Sequence, residues 1–345
     1  MLPDGAASQN TAEQPRPLGI EPAIHLRSTS LLHRVLGEQA LWVTVAVLLI
    51  VAYMSFREPY FASPENFYNI SRNFAFIGIT ALGMTVVIIS GGIDLSIGSA
   101  VGLTAVAAGV VLQAGLPWYV AILAALGSGV LVGGINGVLI AYVRLPPFVV
   151  TLGMMSAARS AAVILSGQRV VSNFGPDGPI FKAIGAGAFL GVSNPVWFLI
   201  VLTILLALVL RFTTWGRYVR AIGGNEQAAR MTGIPVDRIK VQVYVVAALS
   251  AALVAILTIG WTGSAVNSLG TGYELRAIAS TVIGGANLLG GEGGAFGALI
   301  GSVLLEIIRN GLLMAGVDSN WQGLLVGVFI VLSVSLDRIR GGKRG

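Results

Sequence analysis

The stretch IISGGIDLSIGSAVGL, Ile88 to Leu103, decides how this chain folds. One carboxylate, Asp94, stands among glycines and aliphatic residues, with an apolar run before it from Phe74 to Ser90 and another after it from Ile97 to Leu112. The 39 residues from Phe74 to Leu112 are barely enough for two membrane crossings at ~1.5 Å of rise per helical residue. The Gly91-Gly92-Ile93-Asp94 break must therefore be a tight reversal at or just inside the cytoplasmic face, and glycine supplies the backbone conformations it needs. Asp94 then stands where the second helix starts. A carboxylate there accepts from unpaired N–H groups and meets the positive end of the helix dipole, with the Ser96 hydroxyl as a rival cap. A structural cap is the plainest reading of Asp94. Contact with a partner or a pore, and coupling to an ion, are the functional ones.

Working outward, the same apolar texture covers almost the whole chain. Of 345 residues 55% are hydrophobic and 10% charged, with a mean hydropathy of +0.84; soluble domains carry about 25% charged residues. The expected fold is all-α, a polytopic membrane helix bundle of ten spans: Leu41–Phe56, Phe74–Ser90, Ile97–Leu112, Trp118–Tyr142, Phe148–Ser166, Pro195–Phe212, Val241–Thr262, Leu275–Leu289, Ala295–Ala315 and Trp321–Leu336. Residues 1–40 read as a disordered cytoplasmic tail, 41–340 as the transmembrane domain with a cytoplasmic loop at 213–240, and 341–345 as a basic tail. The first apolar run starts too late for a signal peptide. There is no cysteine, and the two histidines, His25 and His33, precede the first span. Disulfides, thiol chemistry and an intramembrane metal or acid–base site built on histidine are excluded.

Lys and Arg set the orientation. With the N-terminus inside, 14 of the 21 lie in inside segments, 4 lie outside, and 3 fall in or beside spans. Both termini are expected in the cytoplasm, and the net charge of +6 needs no nucleic acid to explain it. Gly129, Gly133 and Gly137, four apart on one helix, form a small face that lets helix backbones approach; Gly98/Gly102, Gly297/Gly301 and Gly323/Gly327 repeat the spacing. The bland alternative is the abundance of glycine, 46 residues. A second break, GGANLLGGEGGAFG at Gly284–Gly297, has Gly290 and Gly291 at its centre and Glu292 in the place of the acid. It suggests internal duplication, common in transporters.

The loop RFTTWGRYVRAIGGNEQAARMTGIPVDRIK, Arg211–Lys240, carries start and stop signals for a short helix. Asn225 suits the N-cap, Glu226 the first turn, Gln227 to Thr232 the helix, Gly233 the C-terminal cap and Pro235 the start of the next helix. A solvated basic loop would not need such a helix; a docking element for a soluble partner would. No stretch matches G-x-x-x-x-G-K-[ST], so an ATP-driven role requires a separate ATPase.

These stretches together resemble the permease subunits of the ribose/xylose branch of bacterial ATP-binding-cassette importers, within the branched-chain amino acid/monosaccharide superfamily. The match is carried by GGIDLSIGSAVGL (Gly91–Leu103), GRYVRAIGGNEQAARMTGIPVDRIK (Gly216–Lys240), YELRAIASTVIGGANLLGGEGGAFGALIG (Tyr273–Gly301) and EIIRNGLLMAGVDSNWQ (Glu306–Gln322). The resemblance implies ten spans in a bacterial inner membrane, a homo- or heterodimer of permeases, cytoplasmic ATPase subunits that bind the ATP, and a periplasmic solute-binding protein. It also implies a non-enzymatic role, moving a small polar solute inward, with a monosaccharide expected. The coupling helix would dock on the ATPase through Asn225, Glu226, Ala228, Ala229, Arg230, Met231 and Gly233, with Arg220 and Arg230 meeting acidic groups. Two positions depart from the family pattern: Arg276 replaces a frequent acid and Glu292 a basic or neutral residue. The swap either keeps a charge pair or marks another substrate.

The competing class is an ion-coupled secondary transporter of a small polar solute. It needs ionisable groups along a path, and here these are Asp94, Arg159, Glu274, Arg276, Glu306 and Arg309. Glu306 and Arg309, three apart on one helix, can pair; Arg159 has no partner legible in the sequence. An intramembrane enzyme lacks a nucleophile–base set. Asn136, Ser156, Trp261 and Asn267 are polar or aromatic candidates for contact with solute, with nothing to choose between them.

Overall fold

The computed structural model describes residues 39–318 and 321, 323, 324, 327 and 328. Nearly all of the N-terminal tail, the C-terminal tail and most of the expected last span lie outside these residues. The chain runs α1 (Gln39–Arg57), α2 (Pro64–Ile89), α3 (Ile97–Gln113), α4 (Trp118–Ala141), α5 (Pro147–Leu165), α6 (Gly178–Ala186), α7 (Asn194–Phe212), α8 (Thr214–Gly224), α9 (Glu226–Met231), α10 (Val236–Thr262), α11 (Tyr273–Ile283) and α12 (Ala295–Met314). Among the described residues α2, α4, α5, α7, α10 and α12 are long and apolar enough to cross a membrane, and α1 and α3 are shorter apolar helices. The protein is a polytopic helical membrane protein.

Two helices overrun their expected spans because their ends are polar. α2 begins at Pro64, behind an N-cap at Ser63 whose hydroxyl accepts from Asn66 N–H, and its first turns hold Glu65, Asn66, Asn69 and Arg72. α10 begins at Val236, and Asp237, Arg238 and Lys240 hide its start from a hydropathy count. These two helices form the centre: 83% of the apolar window of α2 and 72% of that of α10 are buried, against 22% for α5 and 28% for α7. The last two lie at the periphery.

The glycine face of α4 packs on α10. A methyl on Gly133 would lie 2.5 Å from the Tyr244 carbonyl oxygen, and one on Gly137 would lie 2.6 Å from Val241 Cα. Gly129 faces Ala248 and Ala252 in the same row. Gly297 and Gly301 likewise seat α12 against Gly284 and Ser280 of the α11 segment. Glu306 is buried and pairs with Arg309, which donates Nε–H to Oε2 at 2.7 Å, so two charges reach the interior as one neutral unit.

One expected span is a different object. Leu275–Leu289 is not a crossing helix: α11 has 11 residues, ~16 Å of rise and about half a bilayer core. It is reached by irregular backbone. β4 (Ser264–Ala265) pairs antiparallel with β1 (Val171–Ser172), while β2 (Ala188–Phe189) and β3 (Val192–Ser193) form a separate hairpin. From β4 the chain descends along α3, passing Ala265 at Gly109, Asn267 and Leu269 at Gly102, and Gly270 at Gly98. Gly98 and Gly102 thus seat unwound backbone rather than a neighbouring helix. Arg159 of α5 donates from Nη1 to the carbonyls of Asn267 at 2.5 Å and Leu269 at 3.0 Å, which gives it the partners the sequence did not reveal.

Candidate functional site

The loop between α7 and α10 folds from its own caps. Thr213 accepts from Gly216 N–H to start α8, an amphipathic helix that buries Gly216, Val219 and Ile222. Asn225 breaks the helical path with extended backbone, and its side-chain oxygen accepts from Ala228 N–H at 2.9 Å to start α9. Gly233, at φ +81°, then stops α9: its N–H reaches the Arg230 carbonyl and Ile234 N–H reaches that of Ala229, a Schellman ending. Pro235 is the residue before α10, not its first helical one.

Charges fasten α9 to the start of α10. Arg230 donates to Glu226 Oε1 and Asp237 Oδ2 at 3.0 Å each, and Lys240 Nζ donates to Glu226 Oε2 at 2.6 Å. Burial works against the Glu226 charge, but hydrogen bonds from Lys240 and Arg230, with their charges, outweigh it and hold the carboxyl below the usual glutamate range. Arg230 is therefore not offered to a partner, contrary to expectation. Nor is Arg220, whose Nη1 donates to the Leu210 carbonyl at 2.5 Å. Ala229 is also corrected: it is 4% exposed and packed into the core. The outward face of α9 consists of Gln227, Ala228 and Met231, the last 89% exposed.

Beneath this face three glycine pairs meet. Gly291 N–H donates to the Ile89 carbonyl at 2.8 Å, joining the second break to the end of α2. Gly223, the penultimate residue of α8, lies against that same bond: a methyl there would collide with the Ile89 carbonyl and stand 2.5 Å from Gly291 N. Gly290, at φ +96°, lies close to both Gly223 and Gly91. Gly91, Gly290 and Gly291 are thus contact points for the loop as well as turn residues, while Gly92 lies against the Tyr244 hydroxyl of α10. A cavity of about 240 Å³ opens beside them, lined among others by Gly91, Gly92, Gly223, Asn225, Lys240 and Tyr244. Gly223 and Tyr244 were missed as site residues; the Gly223-Gly224 pair was visible in the sequence, but nothing marked what it touches.

Asp94 is 1% exposed. Its Oδ1 accepts from Ser96 N–H at 2.8 Å and from Ser96 Oγ–H at 2.6 Å, and Ser96 Oγ in turn accepts from Asn136 Nδ2–H at 2.9 Å. This corrects the capping expectation. α3 starts at Ile97, and neither side chain accepts from its N–H groups; Asp94 closes the turn before it and ties that turn to α4. The second break uses another residue for the same purpose: Asn287 Oδ1 accepts from Leu289 N–H at 2.9 Å, whereas Glu292 is exposed and is no counterpart of Asp94. Arg276 and Glu292 form no ion pair among the described residues.

A family described as the permease component of the branched-chain amino acid transport system matches residues 66–334. The chain belongs to this permease family. Ribose import permease protein RbsC of Escherichia coli (strain K12) is 38% identical over 294 residues, 85% of this chain and 92% of the relative. RbsC of Bacillus subtilis (strain 168) is 36% identical over 300 residues, 87% and 93% of the two chains. Autoinducer 2 import system permease protein LsrD of Salmonella paratyphi B (strain ATCC BAA-1250 / SPB7) is 36% identical over 276 residues, 78% and 83%. No solved structure matches. The permease is a transport subunit of an ATP-binding-cassette importer in the inner membrane, not an enzyme, and the ion-coupled reading falls with that membership.

Proposed function

We propose that this permease passes a ribose-like monosaccharide, or a hydroxylated solute of similar size, into the cytoplasm. A partner ATPase docks on α9 and binds the ATP, a solute-binding protein delivers the cargo, and two permease copies enclose the path. The basic end of the bundle, with the loop 213–240, faces the cytoplasm. The observation that carries this reading is the seating of α9: it offers an exposed Met231 outward and is continuous, through Asn225 and Gly223, with both glycine breaks. A push on α9 therefore reaches the ends of α2 and α11 without passing through a flexible linker. The substrate class follows the ribose permeases above.

Reconstitution tests it. Vesicles holding the permease, its ATPase and its binding protein should take up labelled ribose only with ATP on the α9 side, and the permease alone should neither bind nor hydrolyse ATP. Uptake by the permease alone on a proton or sodium gradient would end the ATP-driven reading. ATP-dependent uptake of another solute, with ribose ignored, would end only the substrate assignment.

A further inference from the structure

The loop end of the molecule accounts for the glycine breaks but leaves unused a polar surface in the apolar depth of the bundle. The irregular segment 266–272 lies between Gly109 and Gly98 of α3, a descent of ~16 Å along that helix. Non-helical backbone at such depth is tolerated where it is buried in protein or lines an aqueous cavity. This segment is partly covered: Gly270 is buried against α3, while Ser268 and Thr271 are exposed. Its polar groups are held locally. Arg159 takes the Asn267 and Leu269 carbonyls, Asn267 Nδ2–H reaches Ser166 Oγ at 3.3 Å, Thr271 Oγ1–H donates to the Ser268 carbonyl at 2.6 Å, and Glu274 accepts from Gly272 N–H at 3.2 Å.

The neighbouring helix shows the same departure. On α7 the exposed middle is Val201, Ile204, Leu205 and Leu208, an ordinary lipid face. On α5 the exposed middle includes Ser156 and Ser160, one helical turn apart, on either side of Arg159 in sequence. A hydroxyl-bearing surface with a bound guanidinium behind it is unsuited to lipid and suited to a solute rich in hydroxyl groups.

We propose that Ser156 and Ser160 of α5, with Ser268 and Thr271 of the unwound segment, line the solute path, and that Arg159 is a positioning residue that holds the segment open by its carbonyls. The proposal rests on the import reading above. A half-length α11 hung from this segment would carry movement at Gly284–Gly291 directly into the lining.

Cysteine accessibility tests the lining without reference to the solute, because the wild-type chain has no cysteine. In vesicles of the complete importer, Ser156→Cys, Ser268→Cys and Thr271→Cys should react with methanethiosulfonate-ethylammonium about tenfold or more faster than Leu205→Cys, since the thiolate that reacts forms only in water. Modification should also block uptake in vesicles whose unmodified importer takes up ribose. Equal slow reaction at all sites, or fast reaction that leaves uptake intact, overturns the lining. Failure of the unmodified importer to move ribose would instead count against the substrate reading and leave the reactivity comparison standing.

Positioning by Arg159 has its own readout. Arg159→Lys keeps the charge, but its shorter stem draws the donor back from the point where Arg159 Nη1 meets both carbonyls. It should lower the maximal uptake rate about tenfold while the half-saturating solute concentration stays within about twofold, and it should raise reactivity at Thr271→Cys. Abundance and ATPase retention are measured alongside. Wild-type uptake in Arg159→Lys, or a change confined to half-saturation, overturns the positioning role.

Discussion

Ser96 links three elements through two hydrogen bonds, and its loss would be felt in each. Its hydroxyl donates to Asp94 and accepts from Asn136, all three side chains being buried. Asp94→Asn retains an oxygen for the Ser96 N–H and is expected to keep near-normal abundance and uptake. Asp94→Leu strands a buried N–H and a buried hydroxyl, at a cost of roughly 1–3 kcal/mol, and should lower the melting temperature in detergent. Loss of uptake in a stable, abundant Asp94→Asn permease would assign the role to the charge instead. The glycines give a sharper contrast. Gly223→Ala drives a methyl into the Ile89 carbonyl, whereas Gly224 has open space around it. Gly223→Ala should destabilise by about 1–3 kcal/mol and depress coupled uptake, with Gly224→Ala close to wild type in both assays.

At the scale of the element, α9 is a six-residue helix that could not persist alone. Its caps and the pairs from Glu226 to Arg230 and Lys240 hold it in place. Because the folded Glu226 has a lowered pKa, its contribution is complete above the ordinary glutamate range and disappears as pH falls through that range and below. Asp237, held down by its hydrogen bond from Arg230, adds a contribution of the same sign. Protection of the α9 amides from hydrogen exchange should therefore weaken on acidification, and Glu226→Gln should lower the protection at neutral pH and reduce the pH dependence to the part that Asp237 carries. The docking face is tested separately. Met231→Asp should sharply reduce ATPase recovered in a pull-down while permease abundance is unchanged. Ala229→Asp buries an unpaired charge, costs several kcal/mol, and should lower abundance itself; a Met231→Asp permease that retains its ATPase would remove α9 as the docking element.

For the whole molecule, the basic end and the opposite end must face different compartments. Single cysteines at Gln227 and at Asp177 should be labelled by an impermeant reagent from opposite sides of oriented vesicles, with Gln227 reached from the ATPase side. Asp177 is well placed for this as it sits at the far end, where its carboxylate accepts from Trp118 N–H at 2.8 Å to start α4. Labelling of both from one side would overturn the topology. The buried centre of α2 and α10 stands apart from the exposed, hydroxyl-bearing middle of α5 at the periphery.

The sequence by itself determined the membrane class, most of the apolar helices, the short capped helix at 225–233 and the family, because each depends on composition or on interactions within a few residues. Hydropathy needs only a run of apolar side chains, and Asn225 and Gly233 cap a helix through their own backbone neighbours. Pairing of Glu306 with Arg309 was legible for the same reason. What tertiary structure decided depends on residues far apart in the chain. The glycine spacing of Gly98 and Gly102 does not say whether a helix or unwound backbone will lie on it, since both need the same absence of a side chain. Arg159 finds its hydrogen-bond partners in carbonyls, which leave no mark in a sequence. Arg230, a free cation by composition, is spent on Glu226 and Asp237, and Ala229 is buried in the core. Ile89, Gly223 and Gly291 come together only because three elements close on one point, where a single methyl would hold them apart.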